Sequence, residues 1–149
     1  MTFPIEVEGL HVRVGDVSAV DDLTLTIAGG VICGLLGRNG AGKSTLLSVL
    51  AAYRQATAGR VRVDGEDPYE NARVMSETCL VREHGDFEPG TSVAEVMSFA
   101  ADLRPRWDAA LAERLVGRFA LPRRTKTGQL SRGQRSALAV TVGLAAGRR

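Results

Sequence analysis

The run Gly37, Arg38, Asn39, Gly40, Ala41, Gly42, Lys43, Ser44, Thr45 spaces three glycines, a lysine and two hydroxyls as a polyphosphate would need them. It fits the pattern G-x-x-x-x-G-K-[ST], in which a glycine loop cradles phosphates. Gly37, Gly40 and Gly42 accept torsions and close approaches that a side chain would block, so successive N–H groups can converge on phosphate oxygens. A helix opening at about Lys43 turns its positive end toward the same anion. Lys43 reaches the β- and γ-phosphates as a point charge, and Ser44 offers its hydroxyl to Mg²⁺. Thr45 continues the helix and touches the α-phosphate. Together these residue types describe a cradle for a nucleoside triphosphate.

A second segment, Leu130, Ser131, Arg132, Gly133, Gln134, opens another helical run that is apolar from Ala137 to Ala146. Ser131 is an N-cap and Gln134, three residues on, completes a capping box. The helix N-terminus so formed also presents N–H groups to an anion, and the two roles are compatible.

These two segments resemble those of the ABC ATPases, whose signature is Leu-Ser-Gly-Gly-Gln; this chain departs from it at Arg132. The resemblance covers nearly the whole chain. It implies an α/β fold, the P-loop NTPase of ABC type, with a mixed sheet around the phosphate-loop helix plus a helical subdomain. On this resemblance the C-terminal part of that fold is expected to be missing. It further implies a head-to-tail dimer in which Ser131, the Gly133 amide and Gln134 face the nucleotide held by the partner's loop. ATP and Mg²⁺ are the implied ligands. A second nucleotide-binding subunit and a transmembrane permease are the implied partners, with the chain at the inner face of the membrane through that permease. The segments Leu103 to Asp108 and Thr125 to Ser131 are similar to bacterial exporter ATPases of the bacitracin-transport and YtrB-like type. The function implied is ATP binding that couples dimer closure to transport. A catalytically inactive truncated cassette and a non-transport ABC ATPase stand as alternatives.

Two positions depart from the family pattern. Val14 precedes Gly15 where the family stacks an aromatic ring on adenine, so it offers apolar contact without stacking. Glu83 stands where the family has a glutamine that orients Mg²⁺ and water. A carboxylate ligates Mg²⁺ as well, and an ordinary loop role for Glu83 and His84 is the other reading. No Asp or Glu follows Glu113. The family's Walker B aspartate, catalytic glutamate and switch histidine are therefore expected to be absent, no catalytic residue is assigned, and hydrolysis by these residues is left open.

The elements that must position these groups follow from periodicity. Val31 to Leu36 reads as a buried parallel strand before the loop, and Leu46, Leu47, Leu50 and Ala51 recur at helical spacing after it. Ile5 to Val14, Leu23 to Ile27 and Arg60 to Val63 read as strands, the last closed by an Asp64–Gly65 turn. Glu77 to Asp86 reads as a returning strand and loop. Beyond it, Ser92 and Glu95 form a capping box. Leu111, Leu115 and Phe119 share the face of a helix that begins at Asp108 and ends at Pro122. One partial domain is expected, with residues 1–86 as the ATP-binding core and 87–149 as the helical subdomain and signature helix. Loss of central strands would leave an apolar sheet edge exposed and stability marginal.

The 149 residues suffice for one domain core, since a chain of this size buries roughly 70% of its unfolded surface. A formal net charge of +2 is too mild to indicate nucleic acid. Arg104, Arg106, Arg123, Arg124 and Lys126 read as a solvated face. Cys33 and Cys79 lack a C-x-x-C spacing and read as reduced core thiols in a cytoplasmic protein. No targeting signal and no apolar run of about 20 residues is visible.

Overall fold

In the computed structural model, residues 3–82, 86–104 and 106–146 are described. They divide into two compact units, residues 1–80 and 81–148.

The first unit is built on a three-stranded antiparallel sheet of order β2-β1-β3, with β1 spanning Ile5–Val14, β2 Val17–Ile27 and β3 Ala58–Val63. β2 thus begins six residues before the expected Leu23. The sheet's buried side carries Val7, Leu10, Val12, Val20 and Val61, and helix α1 (Lys43–Leu50) packs Leu46 and Val49 into the same cluster. Strict alternation would put Val7 and Leu10 on opposite faces. Gly9, at φ +52°, sits in the register shift between them and returns Leu10 to the core side. Gly59 in β3 passes so close to the Gly9 carbonyl that a Cβ there would collide with it. The Asp64–Gly65 turn forms as expected: both residues have positive φ, and Val63 and Glu66 exchange N–H···O bonds of 2.8 and 3.2 Å. Helix α2 (Ala72–Glu77) follows, capped by Asn71. Its Arg73 bridges Asp64 and Glu66, while Asn71 and Arg73 hold the Glu66 carboxyl below its usual range.

The reading of Val31 to Leu36 as a buried strand is overturned. The segment forms no strand, Ile32 and Leu36 are 105% and 92% exposed, and Cys33 is exposed. A parallel strand is stabilised by ladders on its edges and cover on both faces. Among the described residues no strand pairs with it. Nor does residue 78–82, part of the second expected strand, form one; Glu77 ends α2 instead. The antiparallel strands form because each finds its partner, β2 across the Gly15–Asp16 hairpin and β3 on the other edge of β1, where Val63 pairs with Ile5. The apolar run at 31–36 lacks such a partner and lies open to solvent.

The second unit is helical, with α3 (Val93–Leu103), α4 (Ala109–Arg118) and α5 (Arg132–Ala145) around Val93, Val96, Met97, Ala112, Val116, Leu121, Leu130 and Leu138. Asp108 caps α4 as expected, accepting from the Leu111 N–H at 2.8 Å. The buried stripe of α4 runs through Ala112 and Val116, with Leu111 and Leu115 half-buried beside it and Phe119 exposed. Two small residues that look neutral in the pattern thus carry the packing, which rotates the face by one residue from the leucines. The helix stops at Arg118, where Phe119 is the C-cap and Ala120 turns to φ +48°, ahead of Pro122.

Candidate functional site

The phosphate-loop residues lie between an irregular segment and α1. Arg38, Asn39, Gly40 and Ala41 form a turn closed by the Ala41 N–H on the Arg38 carbonyl at 3.1 Å, with Gly40 at φ +85° as its third residue. Gly42 is the N-cap of α1 at φ +79°, and no side chain caps that terminus. Gly42 also lies against β2: a Cβ would run into the Ala19 carbonyl and stand 3.2 Å from Val20 Cγ2. Glycine is required here twice over, for the left-handed torsion and for the close approach. The first N–H groups of α1 have no intrahelical partner by geometry, so this terminus is a ready anion site.

Lys43 curls back over the loop. Its Nζ donates to the Gly37 carbonyl at 2.7 Å and to the Arg38 carbonyl at 2.8 Å. The ammonium has three donors, so two of them hold the loop's shape and one remains for a ligand. Ser44 and Thr45 occupy the first turn of α1, Ser44 exposed and Thr45 half-buried. Gly37, Arg38, Asn39, Gly40 and Ala41 are exposed. Thus the sequence-assigned loop residues from Gly37 to Thr45 come together around one helix N-terminus.

Val14 ends β1 and pairs with Val17 across the Gly15–Asp16 hairpin turn, where Gly15 takes φ +59°. Both valines are exposed, at 41% and 67%. Val17 stands two residues from Ala19 along β2, about 7 Å, so this apolar hairpin end lies beside the stretch of β2 against which Gly42 packs. His11 is half-buried, and its Nδ1 lies 2.8 Å from an Asp21 oxygen. Glu83 and His84 lie outside the described residues. Among the described residues no group of three or more His, Cys, Asp or Glu is placed to hold a metal ion.

In the second unit the capping box at α5 is complete. Ser131 Oγ accepts the Gln134 N–H at 3.2 Å, and Gln134 Oε1 accepts the Ser131 N–H at 2.9 Å. Ser131, Arg132 and Gly133 are exposed at the tip of this helix. The α3 box is also complete: Glu95 accepts from the Ser92 hydroxyl and N–H at 2.6 and 2.7 Å, with Lys126 at 3.6 Å. The Ser92 hydrogen bonds first, and then the Lys126 charge, hold the Glu95 carboxyl below its usual range. Sequence reasoning missed one further contributor, Thr127, which fixes the turn before Leu130. Its partner is 39 residues away, so no local pattern marks it.

The ABC transporter family profile matches residues 20–149, which takes in both the loop and the signature segment. The chain belongs to that family. Over 142 residues it is 28% identical to the ABC transporter ATP-binding protein YtrB of Bacillus subtilis, covering 95% of the chain and 49% of that protein. Over 146 residues it is 35% identical to the daunorubicin resistance ATP-binding protein DrrA3 of Streptomyces coeruleorubidus, covering 94% of the chain and 46% of that protein. The chain thus spans about half the length of these curated relatives. A solved ATP-binding subunit of an ABC transporter superposes with a TM-score of 0.76 at 21% identity, covering 95% of the chain and 62% of that structure. The fold is therefore that of the ABC-type P-loop NTPases, of which the described residues form the antiparallel sheet, the phosphate-loop helix and the helical part. The expected resemblance to an ABC transporter nucleotide-binding subunit is borne out. Among the described residues no helix is long and apolar enough to cross a membrane.

Proposed function

We propose that this chain is the ATP-binding component of an ABC transporter, binding ATP at Gly37 to Thr45 and acting on a separate membrane subunit. The observation that carries the reading is the loop itself. Two left-handed glycines open an uncapped helix N-terminus, and the Lys43 ammonium is hydrogen-bonded to the loop's Gly37 and Arg38 carbonyls. Mg²⁺ fits as a companion of the bound triphosphate, because Ser44 would supply one hydroxyl from the first turn of α1, with phosphate oxygens and water completing a hard-oxygen set. Val14 and Val17 offer the base an apolar edge in place of a stacking ring. Ser131, Gly133 and Gln134 present a second helix N-terminus to the nucleotide of a like subunit.

In this reading residues 1–86 are the ATP-binding core and residues 87–149 the helical subdomain with its signature helix. The subunit works at the inner face of the membrane, where its permease meets it. A groove of about 830 Å³ on the helical unit, lined by apolar Phe87, Phe99 and Leu103 and by four carboxylates against the single cation of Arg104, suits a basic and apolar segment of that permease.

The test is MgATP-dependent association of the subunit, followed by light scattering. ATP is expected to drive pairing of the wild type, and Ser131→Ala to abolish it while leaving ATP binding intact. Equal pairing by the two forms would remove Ser131 from the site.

A further inference from the structure

The helical unit is laced together at a point that the nucleotide reading does not use. Thr127 is only 1% exposed, one of two buried polar side chains among the described residues. Its hydroxyl donates to the Glu88 carbonyl at 2.7 Å, and its N–H donates to the Thr91 carbonyl at 2.8 Å. The next N–H, of Gly128, reaches the Pro89 carbonyl at 3.1 Å. A Cβ on Gly128 would stand 3.1 Å from Pro89, so this approach suits glycine. Upstream, the Val93 and Ala94 N–H groups donate to the Thr125 and Arg123 carbonyls at 3.1 and 2.9 Å. Segment 123–128 therefore lies as a strap along segment 88–94.

The strap leads directly into the signature. The Leu130 N–H returns to the Thr127 carbonyl at 3.2 Å, and the Leu130 side chain is 4% exposed in the core. Ser131 follows at once as the N-cap of α5. At its other end the strap holds Glu88, Pro89 and Thr91, and Glu88 and Thr91 line the groove. The groove wall and the turn before α5 are joined through the buried Thr127 hydroxyl and the backbone hydrogen bonds of the strap.

We infer that Thr127 is a positioning residue for the signature. It fastens the turn from which Ser131 projects to segment 88–91 and so holds Ser131 and Gly133 in place. This rests on the reading of Ser131 and Gly133 as nucleotide contacts. Thr127→Val keeps the shape and removes the hydroxyl, leaving the Glu88 carbonyl and a buried site without their bond. Thr127→Ser keeps the hydroxyl.

Hydrogen exchange on the subunit tests the strap independently of nucleotide. In Thr127→Val, the Gln134 and Arg135 amides are expected to exchange about tenfold faster, while the Ala112 amide of α4 and the Leu46 amide of α1 stay unchanged. Thr127→Ser should restore the wild-type rates, and Gly128→Ala should reproduce the local acceleration. Unchanged exchange at Gln134 and Arg135 overturns the inference. Equal acceleration across the whole helical unit in both variants does so too, since the strap would then serve the fold and not the tip. In MgATP-dependent association, Thr127→Val should pair about tenfold more weakly at unchanged ATP binding, with rescue by Thr127→Ser. Faster exchange with undiminished pairing overturns the positioning role. If the wild type and Ser131→Ala behave alike in that assay, it is the nucleotide reading of Ser131 that fails.

Discussion

The two helix N-termini assigned to the nucleotide are built in opposite ways. At α1 the N-cap is Gly42, without a capping side chain, and the preceding loop is exposed and held in shape by Lys43 on two carbonyls. At α5 the Ser131–Gln134 box pairs two of the terminal N–H groups, and the Thr127 strap fixes the turn before it. One terminus carries no side-chain cap; the other is held in shape by its own capping box. An open cradle gains most from a ligand that supplies several oxygens, which is what a triphosphate does. A capped tip is suited to recognising a nucleotide held elsewhere, because it can approach without reorganising.

Glycine substitutions break this contrast most sharply. Gly42→Ala places a Cβ against the Ala19 carbonyl at φ +79° and is expected to destabilise the first unit by more than about 2 kcal/mol, measured by denaturant unfolding. A cost below about 0.5 kcal/mol would mean that the loop does not sit against β2 as described. Next in size is Ser131→Ala, which removes the α5 cap and should cost about 1 kcal/mol in the same measurement. Gly133→Ala should go the other way. It lies inside α5 with nothing within 4 Å of the added Cβ, so a gain of about 0.5–1 kcal/mol is expected. Opposite signs at Gly42 and Gly133 are the signature of one strained, packed glycine and one free helical glycine.

The smallest effect concerns pH. The Glu95 carboxyl is held below its ordinary value in the fold, so its contribution is present above the unfolded value and is lost as pH falls through the folded one. Acidification below the ordinary glutamate range should therefore loosen the N-terminus of α3, seen as faster exchange of the Glu95 amide. Glu95→Gln should flatten that dependence.

Much of this site is legible in the sequence because its causes are local. The phosphate loop needs positive torsions that only glycines supply cheaply, and the capping boxes close over three residues, so Ser92–Glu95 and Ser131–Gln134 are written where they act. The Asp64–Gly65 turn is of the same kind. Three features that fail to show depend on a distant partner. Val31 to Leu36 has a strand's composition but no paired neighbour among the described residues. The α4 face is set by what α5 offers it, which favours Ala112 and Val116 over the leucines. Thr127 looks like any loop threonine until its partner at Glu88 is known.

The central claim is that Gly37 to Thr45 holds a triphosphate, and calorimetric titration of MgATP into the wild type and Lys43→Ala tests it most directly. Saturable binding by the wild type, abolished by Lys43→Ala in a protein that melts as the wild type does, is the predicted result. The same affinity in both, or no binding by a folded wild type, would contradict it.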